Sequence, residues 1–192
     1  MILGDFIEAR ANLTYKTMFG LNWVNTHCRN VDYIVKVDDD VLVRRENLVS
    51  VLDRLPKKGV AAGECLFKAQ PVRDPNSKYF VTKEEFSKAY YPPYCKGHAM
   101  IFTPDVVADL VQASKRIKSF RLDDVYLGML LQSIDVKVIN LPEVRYTVPN
   151  LEYCTVRDLA FIHPFHILKM DEYLDEWKQA ELDKVECGKI EL

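Results

Sequence analysis

Three consecutive aspartates, Asp38, Asp39 and Asp40, close the β-prone run Tyr33-Ile34-Val35-Lys36-Val37 and are followed by the apolar Val41-Leu42-Val43. Carboxylates set between apolar stretches call for a partner, because buried charge is normally paired or bound to metal. Alternation along an extended chain puts Asp38 and Asp40 on one face and Asp39 on the other. Two like charges on one face suit a hard divalent cation such as magnesium or manganese, and the carboxyl end of a strand is where open α/β sheets hold ligands. A solvated acidic turn capping the next helix is the competing reading of the same residues.

Three further groups could share such a site. Asp123-Asp124 precede the apolar Val125, Leu127, Met129 and Leu130. One acid there serves the cap and dipole of a helix, and the second is a candidate general base. The run Tyr91-Pro92-Pro93-Tyr94-Cys95-Lys96-Gly97 sets aromatics and a glycine just ahead of a strand. That arrangement lets Tyr94 stack on a flat ligand while the backbone at Gly97 comes close; a proline-rigid turn packed on the core is the alternative. His163 ends the strand-like Leu159-Ala160-Phe161-Ile162, and His166 competes with it. A histidine at a strand end serves either as a ligand or as a satisfied structural group. His27 and His98 have no acid close in sequence and are read as structural.

The elements that must position these groups alternate along the chain. Leu13, Thr17, Leu21, Val24 and Cys28 recur at helical spacing, so about residues 5 to 28 read as an amphipathic helix. Leu48, Val51, Leu52 and Leu55 stripe a second helix that stops before Pro56-Lys57-Lys58-Gly59. Residues 60–63 form a short strand. Residues 67–94, with Pro71, Pro75, Pro92 and Pro93, read as a long excursion outside the core. A strand is expected at 99–102, and Thr103-Pro104 starts a helix with a side-chain cap and proline at its first position. Another helix runs from Asp123 to about Ser133, strands follow at 136–139 and 159–162, and Met170, Tyr173, Leu174 and Trp177 mark a terminal helix. Strands alternating with helices imply an α/β layer fold.

The chain has 192 residues, 48% hydrophobic and 28% charged, enough for one globular domain with a full core. A net charge of -2 and a pI near 6.1 give no electrostatic footprint for nucleic acid or an anionic membrane. No segment approaches the roughly 20 apolar residues that span a bilayer, and no signal-peptide pattern opens the chain. The five cysteines, Cys28, Cys65, Cys95, Cys154 and Cys187, form no C-x-x-C pair. They are either buried thiols or contribute one or two disulfides in a secretory compartment, with at least one thiol left over. Asn12-Leu13-Thr14 is a glycosylation sequon, which has meaning in the second case.

Taken together, VKVDDDVLV, YPPYCKGHAMIFTPDVV, LDDVYLGMLL and LAFIHPFHILKMDEYLDEW resemble, in order and spacing, the luminal catalytic domain of the β-1,3-galactosyltransferases. That family includes β-1,3-N-acetylglucosaminyltransferases and Fringe-like enzymes. FIEARANLTYKTMFGLNWV is similar to the family's helix before the metal motif. The resemblance covers almost the whole chain. It implies a GT-A-like, Rossmann-related fold, a mixed sheet flanked by helices, a UDP-hexose donor, manganese, a glycan acceptor on glycoprotein or glycolipid, and an inverting transfer. It also implies residence in the Golgi lumen as a single-pass type II membrane protein, held by an anchor upstream of this chain.

Residue by residue, the resemblance implies that Asp40 is a direct metal ligand and that His163 completes the metal site. Asp38 faces the donor's ribose or sugar, and Asp39, Tyr94, Gly97 and Asp123 count with the donor-binding residues. Asp124 matches the acid that deprotonates the acceptor hydroxyl opposite the departing UDP. A divalent cation stabilises the charge of a diphosphate leaving group, and inversion needs a base on the opposite face. A carboxylate near its ordinary pKa of about 4 is a weak base, so positioning is expected to dominate. The chain departs from the family at Gly97-His98-Ala99-Met100, where alanine replaces a second glycine, and at Leu130, where many relatives carry a cysteine, leaving Cys95 without that partner. Met1 aligns inside the family's catalytic domain, so the first strands are expected to lie upstream. A truncated homologue that folds or binds carbohydrate without transfer is the alternative function. A magnesium-dependent phosphotransferase ranks behind both, for want of a phosphate-cradling glycine loop or Walker lysine.

Overall fold

A computed structural model describes residues 4–7, 9, 12–28, 30–148, 150–163 and 170–187. The longest strand, β4 (Tyr94–Phe102), is its axis. The apolar Ala99-Met100-Ile101-Phe102 stretch of β4 is fully buried, and each large side chain so buried contributes roughly 1.5–3 kcal/mol. Flanking it are β1 (Ile34–Val37) and β3 (Ala61–Leu66), both antiparallel, and β5 (Ile139–Asn140) adds a parallel strand beyond β3. A second, smaller sheet has the order β2 (Leu42–Val43), β7 (Phe161–Ile162), β6 (Val144–Arg145). There β2 and β7 are antiparallel, whereas β6 and β7 are parallel. Helices α1 (Leu13–His27), α3 (Pro104–Ser114) and α4 (Asp123–Ser133) pack with one face of β4 around Met100 and Phe102. Helix α2 (Arg45–Arg54) and the small sheet close the other face around Ala99 and Ile101. A short α5 (Tyr153–Val156) and the terminal α6 (Met170–Leu182) share a third cluster built on Trp177, Val156, Leu159 and Ile162. The architecture is therefore the mixed α/β arrangement expected, with two mixed sheets.

Several boundaries differ from the sequence reading, each for a local reason. The first helix begins at Leu13, because the Asn12 amide and side chain bond back to Ala9 and Ile7 carbonyls and turn the chain there. Strand β4 starts at Tyr94 instead of residue 99, because Tyr94 and Cys95 pair with Leu66 and Cys65 of β3; Lys96, Gly97 and His98, which border a cavity, lack the apolar pattern that would have marked this stretch. Residues 136–138 are not strand, and β5 is displaced to Ile139–Asn140. Pro104 does open α3, but the Thr103 hydroxyl does not cap it; it accepts the Val60 amide at 3.0 Å and ties β3 to β4. Helix α2 ends at Arg54, ahead of Pro56 as expected, and Gly59 in the turn beyond it takes a left-handed φ of 69°. The excursion over residues 67–93 carries no helix or named strand. Arg73 organises it by donating to the carbonyls of Val81, Thr82 and Phe86, each at 2.7 Å.

Four of the five cysteines form disulfides, Cys65–Cys95 and Cys154–Cys187, and Cys28 is a free thiol. Cys95, expected to lack the family partner, meets Cys65 directly across the β3–β4 ladder. Among the described residues no helix is long and apolar enough to cross a membrane.

Helix α4 reaches the sheet because Gly128 has no side chain: a Cβ there would lie 2.6 Å from the Tyr94 Cβ and 2.9 Å from the Pro93 carbonyl oxygen. Neither obstacle is a flexible side-chain end. Gly128→Ala is therefore expected to destabilise the chain by about 1–3 kcal/mol through overpacking, read as a lower denaturant midpoint at unchanged slope.

Candidate active site

The residues singled out above are spread over 126 positions of chain, from Asp38 to His163, counted inclusively. Most of them meet around one cavity of about 700 Å³, lined by Asp38, Asp40, Gly97, Asp123, Asp124 and His163 among others. The aspartate triplet is not extended, as alternation assumed. The Val41 amide bonds back to the Asp38 carbonyl at 3.3 Å, making a turn between β1 and β2. The burial argument is corrected too, since β1 is half-buried throughout and Asp38 and Asp39 are exposed. The turn nevertheless brings Asp38 and Asp40 to the cavity, while Asp39 is not among its lining residues.

Register accounts for the central contact. In the small sheet Leu42 pairs with Ile162 and Val43 with Phe161. One further step in this antiparallel ladder sets His163 opposite Val41, next to Asp40. The His163 Nε2 lies 3.2 Å from the Asp40 Oδ2. Neighbouring ligands on an octahedral ion with bonds of roughly 2.1 Å are about 3 Å apart, so the pair fits two adjacent positions on one divalent cation. Among the described residues, no group of three or more His, Cys, Asp or Glu side chains gathers to hold a metal. Such an ion would take two of its ligands from this pair. His166, the competitor, lies outside the described residues.

The acid pair stands on the other wall. Asp123 and Asp124 open α4, and the Asp123 Oδ2 accepts the Thr17 hydroxyl at 2.8 Å. Asp124 Oδ1 accepts the Val125 amide at 2.7 Å, which fixes its rotamer. Burial, then the adjacent Asp123 charge, push the Asp124 carboxyl up to about 6. The weak base expected from an ordinary carboxylate is thus replaced by a stronger one. A Cβ at Gly97 would sit 3.7 Å from both Asp123 carboxylate oxygens and from the Asp124 Cβ, so the strand passes directly against the acids. Tyr94 lines the same cavity yet is buried, edge-on to Tyr91 at 6.1 Å. Burial, then the Asp124 charge, raise its phenol.

Among the residues that line or border the cavity, Lys36, Lys96, Tyr146 and His98 had no site role in the sequence reading. Lys36, on β1, donates to the Asp38 Oδ1 at 3.0 Å and to the Gly97 carbonyl, placing a cation between the acids. Its position midway through an apolar run was the available signal. Lys96 pairs with Glu64, and Tyr146 stacks on His163 with ring centroids 4.4 Å apart. His98, read as structural, lines the cavity with its ring buried, and burial lowers its pKa to about 4. Glu64 comes no closer to it than 4.0 Å, and among the described residues neither ring nitrogen has a hydrogen-bond partner. Apart from Lys36, nothing local in sequence marks these contacts, since they join separate strands.

Comparison with known proteins bears on the family of the chain. The family model described as Galactosyltransferase matches residues 1–142. The chain is 34% identical over 178 residues to the UDP-GlcNAc:betaGal beta-1,3-N-acetylglucosaminyltransferase 7 of Rattus norvegicus, covering 86% of this chain and 45% of that protein. It is 31% identical to the acetylgalactosaminyl-O-glycosyl-glycoprotein beta-1,3-N-acetylglucosaminyltransferase of Mus musculus, over 96% of this chain and 49% of the relative. It is 30% identical to the beta-1,3-galactosyltransferase 5 of Homo sapiens, over 94% and 59%. The chain spans about half the length of these relatives. With the match reaching across the turn of Asp38 to Asp40, β4 and the acids of α4, the chain belongs to the galactosyltransferase family.

Proposed function

We propose that this chain carries the catalytic site of a manganese-dependent, inverting hexosyltransferase. It takes galactose or N-acetylglucosamine from a UDP-sugar and joins it to a glycan hydroxyl in β-1,3 linkage. The observation that carries the reading is the convergence of the Asp40–His163 pair and Asp124 on one cavity. The relatives' names include both N-acetylglucosaminyl and galactosyl transfer, each β-1,3. A volume of about 700 Å³ lies inside the roughly 300–1,000 Å³ span of small-molecule sites. Two disulfides support an oxidising compartment such as the Golgi lumen.

In this reading Asp40 and His163 would hold the cation through a carboxylate oxygen and an imidazole nitrogen. When bound, the ion supplies Lewis-acid neutralisation of charge on the diphosphate leaving group. Asp124 accepts the proton of the acceptor hydroxyl as that oxygen forms its bond to the anomeric carbon and the carbon–oxygen bond to UDP breaks. Inversion follows from attack on the face opposite the leaving group. The raised Asp124 pKa brings the base closer to neutral pH, where proton transfer is most effective. Lys36 tempers the repulsion that three nearby carboxylates would exert on an incoming diphosphate.

Asp124→Asn is expected to leave manganese-dependent UDP binding close to wild type and to lower transfer by about 10²- to 10⁴-fold. Near-normal turnover in that variant would remove Asp124 from the role of base. Asp40→Ala and His163→Ala are expected to abolish the manganese dependence of UDP binding in a calorimetric titration. A folded wild-type chain that binds no UDP with manganese present would instead favour the non-catalytic alternative.

Wild-type turnover should rise as pH passes upward through about 6, where Asp124 ionises. The same shift has a stability consequence. Because the folded pKa lies above the ordinary 3.8, the fold loses stability as pH rises from near 4 to near 6, and the full cost is present above that. Asp124→Asn should therefore raise stability by about 1–3 kcal/mol at pH 8 and by nothing at pH 3, measured by urea unfolding at both.

A further inference from the structure

His163 leaves β7 at its carboxyl end, and within its staggered rotamers the broad second side-chain torsion sets where its Nε2 points. The parallel partner strand supplies a surface for it. Val144 pairs with Phe161 and Arg145 with Ile162, so the next residues out, Tyr146 and His163, stand side by side. Their rings are 4.4 Å apart and inclined by 20°, close to the roughly 4.8 Å spacing of adjacent strands. The stack restricts rotation of the imidazole about that torsion and turns its Nε2 edge to Asp40.

Tyr146 itself follows a two-residue strand, which is weak anchorage for a residue that must hold another. Its backbone amide is bound by the Glu64 Oε2, and the Glu64 Oε1 takes the Lys96 ammonium. The Lys96 ammonium also sits 5.3 Å from the centre of the Tyr146 ring, and the His98 ring meets that ring edge-on at 5.3 Å. Glu64 is mostly buried, at 17% side-chain exposure, so its charge is placed where it costs free energy unless both oxygens are engaged. It belongs to β3 of the large sheet, whereas Tyr146 extends the small one. One carboxylate thus crosses between the sheets and sets the height of the aromatic ring.

We propose that Glu64 and Tyr146 are positioning residues for His163: Glu64 fixes the Tyr146 backbone, and the Tyr146 ring holds the imidazole in the orientation that meets Asp40. The metal consequence rests on the function proposed above, whereas the orientation of His163 does not, and the two are tested separately. Outer partners of a metal-binding histidine commonly tune affinity about 10- to 100-fold.

The first measurement is NMR of the histidine ring protons in the metal-free chain, assigned by loss of one set in His163→Ala. Wild type should show a cross-relaxation contact between the Tyr146 and His163 rings and upfield His163 resonances. Tyr146→Leu and Glu64→Ala should move those resonances downfield. Tyr146→Phe, which keeps the ring, and Glu64→Gln, whose carbonyl oxygen still accepts the Tyr146 amide, should restore them. The second measurement is titration with manganese alone, where Tyr146→Leu and Glu64→Ala should weaken binding about 10- to 100-fold and the conservative variants should stay near wild type. Absence of the ring–ring contact in wild type would overturn the proposal, as would unchanged His163 resonances in a folded Glu64→Ala. Should Tyr146→Leu not fold, Glu64→Ala carries the test without touching the ring. If the resonances move as expected but wild type binds no manganese, the positioning stands and the metal reading above falls.

Discussion

The site depends on a two-rung ladder. Leu42 and Val43 pair with Ile162 and Phe161, and this contact between residues 120 and 118 positions apart brings the aspartate turn to the histidine. A two-residue pairing has little intrinsic stability. Packing supplies it: Phe161 and Ile162 are wholly buried, on opposite faces of the strand, in two different apolar clusters. The Arg44 amide bonds to the Ala160 carbonyl at 2.9 Å and extends the ladder, while Asn47 binds the carbonyls of Arg157 and Leu159 just upstream. The C-terminal helix adds Trp177, whose indole donates to the Leu151 carbonyl, and the Cys154–Cys187 disulfide closes that region. Residues remote from the cavity thereby hold the register on which the Asp40–His163 contact rests.

The opposite wall is built around β4. At its middle, the Asp38 amide donates to the His98 carbonyl, continuing the β1–β4 ladder by one rung beyond Val37 and Ala99. At Gly97 the strand offers no side chain to α4, and at Gly128 the helix offers none to the strand. Two absent side chains at one contact permit a helix N-terminus carrying two carboxylates to lie against backbone. Burial there raises the Asp124 pKa, and the helix N-terminal dipole together with the Val125 amide keeps the group ionisable near neutrality. Local stability is given up for basicity.

Charge around the cavity is arranged in short pairs, not as one field. Lys36 joins Asp38, Lys96 joins Glu64, and the acids of α4 are held by a threonine hydroxyl and a backbone amide. His98, whose pKa burial lowers to about 4, adds no charge to the wall near neutral pH. Pairing of this kind lets a small cavity carry many ionisable groups, since each carboxylate in it has a donor within hydrogen-bond reach or, for Asp40, the imidazole.

Much was legible in residue order alone. Helical apolar spacing located α1, α2 and α3, the acids Asp123-Asp124 marked the start of α4, Pro56 followed the end of α2 and Pro104 marked the start of α3, and the order of motifs pointed to the family and to Asp40, Asp124 and His163 as a set. Those features are local or are carried by residue type, and residue type survives without coordinates. What the chain order could not specify was distance. Whether Asp38 and Asp40 share a face followed from a turn instead of strand alternation, Thr103 spent its hydroxyl on Val60 instead of its own helix, and Cys95 met Cys65 through β3–β4 register. Lys36, Glu64, Lys96, His98 and Tyr146 drew their roles from strands that meet only after folding. Pairing register sets which side chains face one another across a gap of about 5 Å, and register is fixed by the burial of all strands together, which no single segment encodes.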